Sequence, residues 1–260
     1  MSKSLKFIFI NSTLAFVSAF FFTTFIHEFG HFISYSLFGL KPVLYHNYVA
    51  VDDEKISQVI NIISALAGPL SSLIQGIIFS LVITRRKNYG SASLFYLWFC
   101  LLGFINFFGY LMMTPFSSAG DTGKVADLLQ LEYVYRILIA AIGLAILLVI
   151  IIRIGKYFNA FIPAEINAAR KQQYIYYIMF FPIIFGSVIN TLFAFPAPVL
   201  LSIIYPATSS YAIMTSFGTI FKSPALLSKP ALLESSISKL LIMLTGAGII
   251  INRLLTLGIG

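Results

Sequence analysis

The residues with the clearest chemical meaning form the run His27-Glu28-Phe29-Gly30-His31, which has the spacing His-Glu-x-x-His. On a helix, side chains four residues apart lie on one face, so both imidazoles can offer a nitrogen to the same metal ion. Glu28 is rotated slightly off that face, where its carboxylate can take a proton from a water molecule. Zinc lowers the pKa of bound water to about 7. The run therefore predicts zinc ligands at His27 and His31, with Glu28 as general base.

A third protein ligand must come from elsewhere, since a catalytic zinc ion usually takes three and leaves one position for water. The candidate carboxylates near apolar stretches are Asp52, Asp53, Glu54, Asp121, Asp127, Glu132 and Glu165. Asp121 is preferred because it follows 33 uncharged residues and lies between two glycines that let the backbone turn sharply. Two membrane crossings between His31 and Asp121 would return the chain to the same side. An N-cap role for Asp121, in a helix that begins near Gly123, is the alternative, and the two roles are compatible.

The composition indicates what kind of elements position these residues. Apolar and aromatic residues make up 59% of the 260-residue chain and charged residues 10%, whereas soluble domains carry about 25% charged residues. The 17 lysines and arginines are scattered between apolar runs, which argues against nucleic acid as a partner, and the single cysteine excludes a disulfide scaffold. We predict an all-α, polytopic integral membrane protein of the cell membrane, with the lipid bilayer as its surroundings.

Uncharged stretches of about 20 residues mark candidate spans. They cover residues 7–26 with an apolar continuation to 40, 56–84, 88–120, 137–152 with an extension over 131–134, 172–221, and 240–252 running toward 260. Residues 172–221 contain four prolines and form either one span plus an irregular segment or two spans, which gives six or seven spans. With six spans, ten basic residues lie on the side of the N-terminus and seven on the other, which favours a cytoplasmic N-terminus.

Residues 41–51 differ from the spans. Two short β-prone runs, 43–45 and 48–51, flank His46-Asn47, which suits a turn. We expect either a small β-hairpin after the first span or a plain interfacial loop. A strand edge beside the metal could pair with an unwound substrate, with Val49 and Val51 as the pairing residues. His46 is a weaker candidate for a metal ligand.

Three motifs together resemble the site-2 protease family of intramembrane zinc metalloproteases. They are the run at residues 27–31, Ala67-Gly68-Pro69-Leu70 in the second span, and Thr114-Pro115 leading to Gly120-Asp121. The resemblance covers roughly residues 7–130. It implies a three-span catalytic core, Zn²⁺ as cofactor, Asp121 as the third ligand, and a membrane-embedded protein or peptide as substrate. We assign residues 1–135 to this core and 136–260 to additional spans that act as scaffold or gate.

The chain departs from the family pattern in several positions. Met112 stands where the family has an asparagine that orients substrate, Gly120 replaces a leucine, and Thr122 separates Asp121 from the next glycine. Asn106, about two helical turns before Met112, is the substitute candidate for substrate binding. The family also places its metal site toward the cytoplasm, whereas the distribution of basic residues here places it nearer the outer face.

Gly68 and Pro69 lie in the middle of the second span. Proline there removes a backbone hydrogen bond and kinks the helix. The kink would either open space beside the metal for substrate or serve packing alone.

Two alternative functions remain open from the sequence. Glu165, in Glu165-Ile166-Asn167-Ala168-Ala169, is loosely similar to the third-ligand motif of the prenyl-protein proteases, which would make the protein a gluzincin-like membrane protease. A non-catalytic transporter or binding protein could instead use the buried histidines and glutamate as a proton or metal relay.

Overall fold

The apolar stretches form long helices in the computed structural model, which describes residues 3–51, 56–198, 200–224 and 235–260. Within these ranges, five helical segments are long and apolar enough to cross a membrane. They are α1 (Lys3–Leu37), α2 (Gln58–Arg85), α3 (Ser91–Met113), α5 (Tyr133–Gly155) with a 3-10 turn (Lys156–Phe161), and α6 (Ala168–Ile175) continuing through a π-helical turn (Tyr176–Phe180) into α7 (Phe181–Phe193). The expected all-α bundle is thus confirmed.

The sixth expected span corresponds to α10 (Lys239–Leu255), which has 17 residues. It is apolar but shorter than the roughly 20 residues of an ordinary span. The short helix α4 (Asp121–Leu128) connects α3 to α5.

The described part of residues 172–221 forms one long helix followed by shorter helical pieces, which lead back to the start of α6, where the Lys171 ammonium donates to the Ser223 carbonyl at 2.7 Å. After α7 come α8 (Leu201–Thr208), a 3-10 segment (Ser209–Ser216) and α9 (Phe217–Lys222). Pro196 and Pro198 lie directly after α7, where they cannot prolong the helix. Prolines therefore explain where the regular helix stops.

The helix α1 lies at the centre of the bundle and packs against α2, α3, α7 and α10. The core is aromatic at its middle, where the Trp98 ring lies 5.1 Å from that of Phe16 and 4.9 Å from that of Phe158. The Trp98 indole N–H donates to the Ser12 hydroxyl at 3.0 Å, so its polar atom is paired inside the apolar core. In contrast, α5 exposes a stripe of Leu138, Ile142, Ile146 and Val149, a face suited to lipid.

Three helices point the same way. Phe9, Phe16 and Phe21 of α1 contact Phe185, Gly186 and Phe193 of α7 in that order, so α7 runs parallel to α1. The contacts between α1 and α3 also follow the same order along both helices, from Ser12 with Trp98 to His27 with Tyr110, so α3 runs parallel to α1. The C-terminal parts of α1 and α3 therefore meet at one end of the bundle, whereas α7 ends beside the middle of α1.

Of the two arrangements expected for residues 41–51, the structure has the hairpin. Strands β1 (Pro42–Leu44) and β2 (Val49–Val51) pair antiparallel, with Leu44 opposite Val49 and Pro42 opposite Val51. The other side of β1 pairs with Ile259, whose N–H and C=O exchange hydrogen bonds of 3.0 and 2.8 Å with Leu44. Within the described ranges, the outer edge of β2 is the side of this small sheet that no strand covers.

The turn of the hairpin is fixed to the end of α7. The His46 Nε2 and Asn47 Nδ2 groups each donate to the Ala194 carbonyl at 3.0 Å. Ala194 follows Phe193, which packs against Phe21 in the middle of α1. The hairpin therefore reaches down into the bundle instead of lying flat over its end.

Candidate metal centre

The three predicted ligands converge at the end of the bundle where α1 and α3 finish. His27 Nε2 lies 3.0 Å from Asp121 Oδ2 and 3.1 Å from His31 Nε2, and His31 Nε2 lies 3.3 Å from the same carboxylate oxygen. Four nitrogen or oxygen ligands at about 2.0–2.1 Å around zinc are separated from one another by roughly 3.3 Å. The triangle therefore has the size of one face of a zinc coordination tetrahedron.

Asp121 reaches the histidines because of the tight loop before α4. The helix begins at Asp121 with Gly120 in the N-cap position, so the predicted N-cap role of Asp121 is wrong. A Cβ on Gly123 would lie 1.9 Å from the Ser117 carbonyl oxygen, which explains why this position needs glycine. The Thr122 hydroxyl donates to the Tyr110 carbonyl at 2.6 Å and ties the start of α4 to α3.

The carboxyl group of Asp121 is a suitable anionic ligand. Its burial alone would raise its pKa, but the charge of His31 and hydrogen bonds from both imidazoles lower the pKa well below the usual range. The group is consequently deprotonated at neutral pH. An ionised carboxylate beside two imidazoles is a donor set that zinc prefers.

Hydrogen bonds behind the ligands set the orientation of both rings. His31 Nδ1 lies 2.6 Å from the Ser64 carbonyl and donates to it, so Nε2 is the nitrogen that faces Asp121 and that would bind a metal ion after losing its own proton. His27 Nδ1 lies 3.4 Å from the Ser72 hydroxyl, and its ring stacks on Tyr110 with 4.9 Å between centroids. Both imidazoles are thereby held by groups on α2 and α3.

Gly68 makes room for a ligand. A Cβ at this position would lie 2.2 Å from His31 Nε2, so any larger residue would displace the ring. Pro69 is buried inside α2, and neither residue borders the cavity described below. Gly68 therefore packs closely against His31 and does not open space for substrate.

A cavity of about 530 Å³ opens beside the three ligands. Glu28 borders it, is 7% exposed, and lies close enough to both histidines and Asp121 for direct electrostatic interaction. Of the predicted substrate-binding residues, Asn106 and Val49 border the cavity and Val51 does not. The volume is within the range of about 300–1,000 Å³ that ligand pockets occupy.

Several residues of the cavity have no counterpart in the sequence predictions. Tyr110 on α3 and Tyr205 on α8 line it, as does Asn190 on α7. Tyr205 accepts a 3.0 Å hydrogen bond from the Asn106 amide. The sequence could have indicated Asn190, because it is a polar side chain inside an uncharged span. Nothing in the sequence distinguished Tyr110 and Tyr205 from the other tyrosines among the 14 in the chain.

Within the described residues, the candidate ligands Glu165 and Asp127 are not part of this centre. Glu165 is exposed, and nearby Phe161 contacts Tyr89 in the α2–α3 loop, at the opposite end of the bundle. Asp127 forms a 2.5 Å ion pair with Arg136. Asp52, Asp53 and Glu54 lie outside the described residues.

No family model, curated protein or solved structure matches this chain. The geometry of the site is therefore the basis for assigning a function. Among the described residues, His27, His31 and Asp121 form the group whose ligand atoms could hold a metal ion, all within 4.8 Å of one another.

Proposed function

We propose that the protein is a multi-pass membrane zinc metalloendopeptidase, similar to the site-2 proteases, that hydrolyses peptide bonds in or near a transmembrane segment. The observation that carries this proposal is the triangle of His27, His31 and Asp121 donor atoms with sides of 3.0 to 3.3 Å, next to buried Glu28. Its surroundings, long apolar helices, support a substrate that is itself membrane-embedded.

The helices α1 to α3 supply the catalytic core in this proposal. Both histidines lie on α1, the groups that orient them lie on α2 and α3, and Asp121 follows α3. Ser238, Thr245 and Gly248 contact Asn11, Leu14 and Phe21 in that order, so α10 runs parallel to α1 and α7. The chain between α7 and α10 would then cross back, which gives seven crossings. Residues 136–260 would then surround the core.

The charges of the site favour a divalent cation. Glu28 and Asp121 carry two carboxylates in a largely buried position, and the two histidines can bind as neutral imidazoles. Unpaired buried charges are costly, so a doubly positive ion would balance the pair.

The chemistry is then divided among the metal and the residues. A zinc ion held by the three ligands would activate a water molecule and polarise the scissile carbonyl. Glu28 takes the proton of the attacking water and delivers it to the leaving amine. Its position next to His27 in sequence, bordering the same cavity, supports this role.

The substrate must leave its helical conformation before cleavage, because a helical peptide carbonyl is hydrogen-bonded and shielded. In an apolar environment the freed backbone groups need new partners. The Tyr45 N–H bonds the Tyr48 carbonyl at 2.9 Å, and pairing alternates along an antiparallel ladder. Val49 and Val51 therefore direct their N–H and C=O groups to the uncovered edge of β2. This edge offers the backbone partners that an unwound substrate needs.

The proposal is tested with purified protein in liposomes that contain single-span peptides, with products identified by mass spectrometry. Wild-type protein should cleave a subset of these peptides. The Glu28→Gln variant should retain zinc and lose cleavage by at least about a hundredfold, in line with the usual contribution of a general base. Equal cleavage by the variant would rule out the assigned role of Glu28.

The two alternatives make different predictions in the same liposomes. A relay protein would carry zinc ions or protons across the bilayer and cleave nothing. A gluzincin-like protease would lose zinc when Glu165 is replaced by alanine. The exposed position of Glu165 at the far end of the bundle supports the Asp121 assignment.

A further inference from the structure

One polar side chain in the second half of the chain has no structural explanation so far. Asn190 on α7 is 2% exposed and borders the same cavity as the metal ligands. Neither atom of its carboxamide has a hydrogen-bond partner among the residues that the structure describes. Buried amide groups are nearly always paired, because an unpaired one loses its hydration without compensation. The cavity is therefore expected to supply the missing partner.

The helix packing gives the position of Asn190 relative to the metal centre. It lies between Gly186, which packs against Phe16, and Phe193, which packs against Phe21. Asn190 is therefore near the level of Phe20 on α1, seven residues before His27. At about 1.5 Å of helix rise per residue, the separation along the axis is roughly 10 Å. An extended peptide covers this distance with about three residues.

Three other residues that border the same cavity also have an unpaired polar atom among the described contacts. These atoms are Oδ1 of Asn106 on α3, and Nδ1 of His46 and Oδ1 of Asn47 at the turn of the hairpin. The remaining wall is largely apolar and includes Phe20, Phe193 and Leu147. Apolar walls with a few unpaired amide and imidazole atoms match a ligand with apolar side chains and a polar backbone.

We propose that Asn190 binds the backbone N–H and C=O of one substrate residue, about three residues from the bond that is cleaved. Its Nδ2 donates to the carbonyl of that residue and its Oδ1 accepts from the N–H of the same residue, because both groups of an extended residue point to one side of the chain. This inference rests on the proposed protease function. It makes α7 part of the substrate site and gives residues 136–260 a direct role in recognition.

Two zinc-directed probes separate the metal centre from the peptide site. Acetohydroxamate contacts the metal alone. The peptide probe is a leucine-rich tetrapeptide that also occupies the cavity, and it is made in two versions, with the hydroxamate at the N-terminal or at the C-terminal end. Affinities for both are measured by calorimetry on zinc-loaded wild-type protein and the Asn190→Leu variant in detergent. The loss of two hydrogen bonds should weaken the better-binding peptide probe about tenfold and leave acetohydroxamate unchanged.

Ser187→Ala is the matched control. Ser187 lies on the same helix, is 2% exposed and has an unpaired hydroxyl within the described part of the chain, but it does not border the cavity. This variant should bind both probes like the wild type. If Asn190→Leu loses its zinc, Asn190→Ala, which adds no bulk, replaces it in the same comparison.

The outcomes separate the two proposals. Equal affinity of the peptide probes for wild type and the Asn190 variant would overturn the role of Asn190 and leave the metal site intact. Failure of acetohydroxamate to bind zinc-treated wild-type protein would contradict the protease assignment itself, and the role of Asn190 with it.

Discussion

Each proposed ligand depends on a contact outside the His-Glu-x-x-His run. His31 is oriented by the Ser64 carbonyl at 2.6 Å and needs the absence of a side chain at Gly68. His27 stacks on Tyr110, and Asp121 depends on the tight loop that Gly123 permits. The geometry of this metal site thus depends on α1, α2, α3 and α4, because groups behind the ligands fix the orientation of the ligands.

Gly68 provides the sharpest residue-level prediction. The Gly68→Ala variant should keep its helical content, since alanine favours helix, but lose most of its zinc because the added Cβ would lie 2.2 Å from His31 Nε2. Zinc content by mass spectrometry and helicity by circular dichroism measure the two effects. Gly246→Ala on α10 is the control, since a Cβ there has no atom within 4 Å. Full zinc occupancy in Gly68→Ala would show that His31 is not held as described.

At the level of single residues, the sequence predicted the three ligands and Glu28 but not their supports. The i, i+4 spacing on one helix is a local signal, so His27 and His31 could be paired without a structure. The contact between Gly68 and His31 joins two helices and leaves no local signature. The sequence therefore left open whether Gly68 and Pro69 create an opening or serve packing, and the structure has a close contact there.

At the level of elements, the hairpin was predictable from its β-prone runs, but its free edge was not. Leu44 pairs with Ile259, which lies more than 200 residues further along the chain. Only this pairing distinguishes β2 as the uncovered strand. The assignment of Val49 and Val51 as pairing residues thus gains a structural reason that the sequence lacked.

The edge of β2 can be tested with proline. Val49→Pro and Val51→Pro remove N–H groups that face away from β1, so the hairpin should persist and zinc content should stay unchanged. Turnover of a membrane peptide in liposomes should fall about tenfold or more if the substrate pairs there. Val49→Thr, which keeps both the N–H and the branched side chain, should cleave like wild type. Unchanged turnover in the proline variants would remove β2 from the substrate site.

At the level of the whole molecule, hydropathy was enough to locate the helices because each long apolar stretch is a local feature. The lengths were less predictable, since α10 ends after 17 residues and the described part of residues 194–224 forms only short helical pieces. The surroundings of the cavity were not predictable. Asn190 and Tyr205 come from segments that the sequence assigned to scaffold or gate, and only tertiary packing brings them to the metal centre.

Orientation in the membrane remains a prediction from charge. The excess of basic residues on the side of the N-terminus, ten against seven when six spans are counted, predicts a cytoplasmic N-terminus and a metal centre nearer the outer face. Cys100, the single cysteine, is buried, so introduced cysteines can be labelled without background. Phe116→Cys, in the exposed loop before α4, should react with an impermeant maleimide on intact cells, and Asn88→Cys only after permeabilisation. The reverse pattern would give the orientation that the site-2 protease family has.

Zinc stoichiometry across a small set of variants tests the central claim most directly. Wild-type protein and Glu165→Ala should each bind about one zinc ion per chain, whereas His27→Ala and Asp121→Ala should lose most of it, because each removes one of three ligands. Retention of zinc by Asp121→Ala together with loss in Glu165→Ala, or a wild-type protein that binds no zinc, would contradict the account.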